Sequence, residues 1–110
     1  MKSYIVDEIL PGHMDVLISY MNEIACPSGM KNLYWVDVPE ENLTDEQRNH
    51  IDCSPHRFAI EVGDNWIKAE FFIRTAKKFK CVCNCCCNDN QRNYIIKYID
   101  TMLSDLNIGT

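Results

Sequence analysis

The 110-residue chain holds only four glycines and four prolines. Phosphate-cradling loops need several glycines in register, and neither Gly-x-Gly-x-x-Gly, a P-loop nor Gly-x-Ser-x-Gly occurs. Gly12, Gly29, Gly63 and Gly109 all fall at boundaries between predicted elements, where punctuation accounts for them. Basic residues are scarce, with 11 Lys and Arg against 16 Asp and Glu, a net charge of −5. Binding to nucleic acid is therefore not expected, because phosphate contacts need cations. No apolar run approaches the roughly 20 residues a membrane span requires, and no secretory signal is read at the N-terminus. The three histidines, His13, His50 and His56, form neither His-x-x-x-His nor His-Glu-x-x-His. No catalytic constellation emerges, and no family resemblance.

Cysteine is what the chain has in excess. Seven residues, being odd in number, cannot form a complete intramolecular disulfide framework. Free thiols point to a reducing, cytoplasmic setting. Five of them crowd into Cys81-Val-Cys-Asn-Cys-Cys-Cys87.

Hydrophobic periodicity outlines the fold. Ser3 to Leu10 is short and β-branched and reads as a strand. Met14, Leu17, Ile18, Met21, Ile24 and Ala25 then recur at helical spacing, stopped by Pro27 to Gly29. Leu33 to Val38 reads as a second strand. Thr44-Asp-Glu-Gln47 matches a capping box and opens a short helix over 45–51. Arg57 to Val62, Asn65 to Arg74 and Lys78 to Cys87 alternate as three further strands. Asn88 caps a helix whose stripe runs through Tyr94, Ile95, Tyr98, Ile99, Met102, Leu103 and Leu106. The order β-α-β-α-β-β-β-α, within one domain over 1–110, predicts an α+β two-layer fold. It consists of a mainly antiparallel sheet with two amphipathic helices packed on one face.

Two readings compete for the cysteine-rich segment. If residues 78–87 run as a regular strand, Cys81, Cys83 and Cys85 share the core face of Phe79 and act as small buried hydrophobes, while Cys86 points outward as the most reactive thiol. Side chains two apart on a strand stand parallel, about 6.6 Å from one another, which makes a poor chelate. The alternative is a thiol-based soft-metal or redox site, with zinc or another thiophilic metal as cofactor. Further donors are Cys26, Cys53, His13, His50 and His56; the pair Cys53-Ser-Pro-His56 could close such a site with Cys85 and Cys87.

The charge is uneven. Residues 1–55 carry three basic and ten acidic residues, whereas residues 56–110 carry eight and six. On the meander, Trp66, Phe72 and Arg74 alternate with the core residues and stand beside a basic knot of Lys77, Lys78 and Lys80. Aromatics and Arg are enriched in interface cores. The reading is a non-enzymatic module that binds a protein partner or self-associates through Trp66, Phe72 and Arg74, with no cofactor required.

Overall fold

The computed structural model describes residues 2–77, 81 and 83–109, without the side chains of Cys26 and Pro27. It has the predicted α+β class. The chain runs through β1 (Ser3–Val6), α1 (Pro11–Ile24), β2 (Cys26–Pro27) and β3 (Leu33–Asp37). A 3₁₀ turn (Glu40–Asn42), α2 (Asp45–Asn49) and a second 3₁₀ turn (Ile51–Cys53) follow. Then come β4 (His56–Val62), β5 (Ile67–Glu70), β6 (Phe72–Thr75), β7 (Cys85–Cys86) and α3 (Asp89–Asp105). The sheet is antiparallel in the order β1-β5-β4-β3-β2, with β6 against β4 and β7 against β6. No described helix is long and apolar enough to cross a membrane.

Alternation on β4 sets the layers. Phe58, Ile60 and Val62 are buried, whereas Arg57 and Glu61 are half-exposed on the opposite side. Tyr34 and Val36 on β3, Ile67 and Ala69 on β5, and Ile73 on β6 join the buried face. Both long helices cover it. Met14, Leu17 and Met21 of α1 and Ile95, Ile99, Met102 and Leu103 of α3 belong to the same core cluster. Phe58 meets Tyr98 of α3 edge to face at 5.8 Å. Tyr34 donates a hydrogen bond to Asn22 of α1 at 2.6 Å. The other face of the sheet carries Trp35, Arg57, Glu61, Lys68, Phe72 and Arg74, all half-buried and uncovered by a helix.

Several boundaries differ from the sequence reading. β1 stops at Val6 because the backbone turns left-handed at Glu8 (φ 56°), and Pro11 opens α1 at its first turn rather than closing the strand. The short β2 was not anticipated. The predicted strand over 65–74 is broken at Phe71. Between the pairs Ile60↔Ala69 and Arg57↔Arg74, β4 has two residues and the opposing chain four. Adding two residues bends the strand but preserves alternation, so Ile73 still faces the core. The break is also a hand-over of the outer edge. Phe71 donates its N–H to Lys2 and accepts at its carbonyl from Cys87, so β1 flanks β5 and β7 flanks β6.

The largest departure is the last predicted strand. Among its described residues only Cys85 and Cys86 pair, as β7, and Asn84 N–H donates back to the Cys81 carbonyl at 3.0 Å. The expectation that Phe79 leads these cysteines into the core lies outside the described residues. Of the three thiols expected on the core face, Cys83 is buried while Cys81 and Cys85 are only half-buried; Cys87 is buried too, and Cys86 is exposed as expected.

Candidate metal centre

The site is assembled from two short segments. The first begins with the capping box. Thr44 Oγ1 accepts from the Gln47 backbone N–H at 3.1 Å, and Gln47 Oε1 accepts from the Thr44 N–H at 3.0 Å. This fixes the start of α2 and so the place where it ends, at His50. The chain tightens there into the 3₁₀ turn, with Cys53 N–H donating to the His50 carbonyl at 2.9 Å. Three residues per turn eclipse positions i and i+3. The His50 imidazole and the Cys53 thiol therefore project to the same side.

The second segment holds Cys81 and Cys83, and Asn84 N–H donates back to the Cys81 carbonyl. That return, rather than extension, is what lets Cys81 and Cys83 converge. His50 Nδ1 lies 3.2 Å from Cys81 Sγ and 3.9 Å from Cys53 Sγ, and the Cys53 and Cys81 sulfurs are 3.6 Å apart. With Cys83 added, all four donor atoms lie within 4.8 Å of one another. A tetrahedral zinc with bonds of about 2.3 Å to sulfur separates its donors by about 3.8 Å. These residues thus stand close to the edges of such a tetrahedron.

Electrostatics divide the thiols. Cys81 is lowered to about 6, first by the Cys83 backbone N–H directed at its sulfur and then by the Cys83 thiol itself. Cys83 is pushed up to about 12, chiefly by burial and then by sharing its proton with Cys81 and Cys53. One thiolate thus stands ready at Cys81, and a cation placed among the four donors would take the remaining protons off.

Outer contacts hold both segments. Gln47 is fully buried; its Nε2 donates to the Cys83 carbonyl at 3.0 Å and approaches Cys85 Sγ at 3.4 Å. Its Oε1 also accepts from Nε2 of Gln91 at 2.9 Å. Gln91 is itself the third residue of the second capping box, with Asn88 at the start of α3. Thr75 Oγ1 donates to the Cys53 carbonyl, and Thr75 N–H donates to Asn84 Oδ1 at 2.7 Å. Each cysteine-bearing turn is thereby tied to the sheet or to α3, the kind of support that orients metal ligands.

Of the four residues assigned to a metal site from sequence, Cys53, His56, Cys85 and Cys87, the cluster contains Cys53; His50, named from sequence as a further donor, belongs to it as well. His56 opens β4 with its ring turned into the protein, and neither nitrogen has a hydrogen-bond partner among the described residues. Its pKa is lowered by burial and then by the nearby charge of His50. Cys85 is raised chiefly by burial, and Cys87 is raised to about 12 for the same reason. Cys81 and Cys83 stand beside the His50–Cys53 turn, whereas Cys85 pairs along the edge of β6 and Cys87 follows it. His50, Cys81 and Cys83 were considered as donors but not joined with Cys53 into one site. Their signal was the order His50-x-x-Cys53 followed by Cys81-x-Cys83, the reverse of the Cys53-x-x-His56 pair.

No protein-family model matches the chain, and no curated protein or solved structure matches it.

The expected interface residues are all half-buried on the uncovered side of the sheet. The Arg74 guanidinium lies 4.7 Å above the Phe72 ring and pairs with Glu70 at 3.4 Å. Lys68 lies 5.7 Å over Trp66 and pairs with Glu61 at 3.1 Å. Trp66 also packs flat on Gly63, where an added Cβ would come within 2.0 Å of the indole. Glycine is needed there for that close approach.

Proposed function

We propose that this protein is a metal-binding module that holds one thiophilic ion, zinc by preference, through His50, Cys53, Cys81 and Cys83. The observation that carries the reading is the convergence of four neutral-to-anionic soft donors within 4.8 Å. Three sulfurs and one imidazole are a donor set that suits zinc. Four protein ligands fill a tetrahedron and leave no open position for substrate, so the ion's role is structural rather than catalytic. It ties the α2 segment to the cysteine turn and thereby shapes the end of the sheet. The free thiols must stay reduced to serve, which fits a cytoplasmic setting.

Elemental analysis of protein purified without chelator tests this. One zinc per chain is expected, lost in the double variant C81S/C83S and retained in C85S/C87S. A protein free of zinc, or one whose zinc survives C81S/C83S, would overturn the assignment.

A second reading, that the module works by binding another protein, is favoured by the sheet face that no helix covers. The two readings are compatible: the ion would stabilise the scaffold that presents the face.

A further inference from the structure

At the end of that open face nearest the metal-binding turn lies a cleft of about 530 Å³, within the size range of ligand-binding clefts. Trp35 and Phe72 supply its apolar surfaces, and Arg57, Arg74 and Lys77 supply its charge. None of its described lining residues is acidic, in a chain whose net charge is −5.

The two arginines are arranged alike. Arg57 lies 4.5 Å over the Trp35 ring, as Arg74 lies over Phe72. Stacking uses the face of a guanidinium and leaves its N–H edge free to fork onto a carboxylate. Arg74 already gives one N–H to Glu70. Arg57 Nε is buried and has no hydrogen-bond partner among the described residues. The cleft thus offers aromatic walls with two guanidinium groups held against them.

We infer that this cleft binds a short acidic segment of a partner protein, with carboxylates on Arg57, Arg74 and Lys77 and an apolar side chain against Trp35 and Phe72. This deepens the interaction reading and does not depend on the metal. Charge complementarity selects the occupant. The cleft gathers three cations, one already paired, which suits a few carboxylates. It falls short of a nucleic-acid track, where each phosphate contact must be matched by a cation and the remainder of this chain repels the strand. Trp and Arg together are also the residues that dominate protein interfaces.

Selection from a random-peptide display library on the protein as purified is the test. Selected peptides are expected to be enriched in Asp and Glu with one bulky apolar residue. Fluorescence anisotropy with a selected peptide should show about tenfold or greater weakening in Arg57→Glu and in Lys77→Glu. It should show equal or tighter binding in Glu70→Gln, which releases Arg74. Lys77 is exposed, so its variant keeps the test open if Arg57→Glu misfolds. Peptides without acidic enrichment, no binder at all, or affinity unchanged in Lys77→Glu would overturn the proposal. So would tighter binding of oligo(dT), or dimerisation abolished by Lys77→Glu, which would make the occupant a nucleic acid or a second copy. Zinc content measured on every variant separates the two readings: a cleft failure leaves one ion per chain, and a metal-site failure does not.

Discussion

At the scale of single residues, the cysteines differ more in environment than in spacing. Cys81 accepts a backbone N–H and is lowered to about 6, whereas burial pushes Cys83 and Cys87 up to about 12. Above pH 6 a metal-free protein should therefore carry its most nucleophilic thiolate at Cys81. Mass-spectrometric mapping after brief iodoacetamide treatment of chelator-treated protein is expected to find Cys81 alkylated before Cys83 and Cys87. The preference should fade as pH falls through 6, and bound zinc should suppress it. Labelling led by Cys83 would contradict the geometry. Gln47 is the other decisive residue. Replacing it by Leu strands the Cys83 carbonyl and the Gln91 amide in a buried setting. That should cost about 1–3 kcal/mol in urea unfolding and weaken zinc affinity about 10–100-fold. A variant with unaltered zinc affinity would show that the glutamine merely fills space.

Among elements, much was legible in the sequence because periodicity answers to burial. Phe58, Ile60 and Val62 alternate with Arg57 and Glu61, and the stripe from Tyr94 to Leu106 spans one face of α3. Phe58→Ala should accordingly destabilise the fold by about 3–5 kcal/mol. Equal stability would mean that the α3 layer is not seated on β4. Both helix starts were legible too, since Thr44 with Gln47 and Asn88 supply recognisable caps. The four-donor cluster was not. Alternation in Cys-x-Cys-x-Cys-x-x reads as a strand, and only the hydrogen bond from Asn84 back to Cys81 reverses that. The hydrogen bond between Gln47 and Gln91 was equally hidden. A capping box specifies what the glutamine oxygen does for its own helix and says nothing of where the spare amide hydrogens go. Pairing His50 with Cys53 needed the 3₁₀ turn that eclipses them, whereas the extended run after Cys53 carries His56 into the core instead.

For the molecule as a whole, the four converging donors join segments nearly thirty residues apart, from His50 and Cys53 to Cys81 and Cys83. An ion bound only by the folded chain stabilises it by mass action. EDTA is therefore expected to lower the midpoint of thermal unfolding and added zinc to restore it, with no such response in C81S/C83S. An identical midpoint with and without chelator would count against a structural ion. Acidification should act in the same direction, because protons compete for His50 and the three thiolates. The claim on which the rest depends is the tetrahedral centre itself, and cobalt(II) reads it directly. Titrating the reduced, metal-free protein with cobalt should saturate at one equivalent. The spectrum should show intense tetrahedral ligand-field bands and thiolate-to-cobalt charge transfer, both displaced by zinc and both absent in C81S/C83S. A weak octahedral spectrum, or a tetrahedral one that persists in C81S/C83S, would contradict the account.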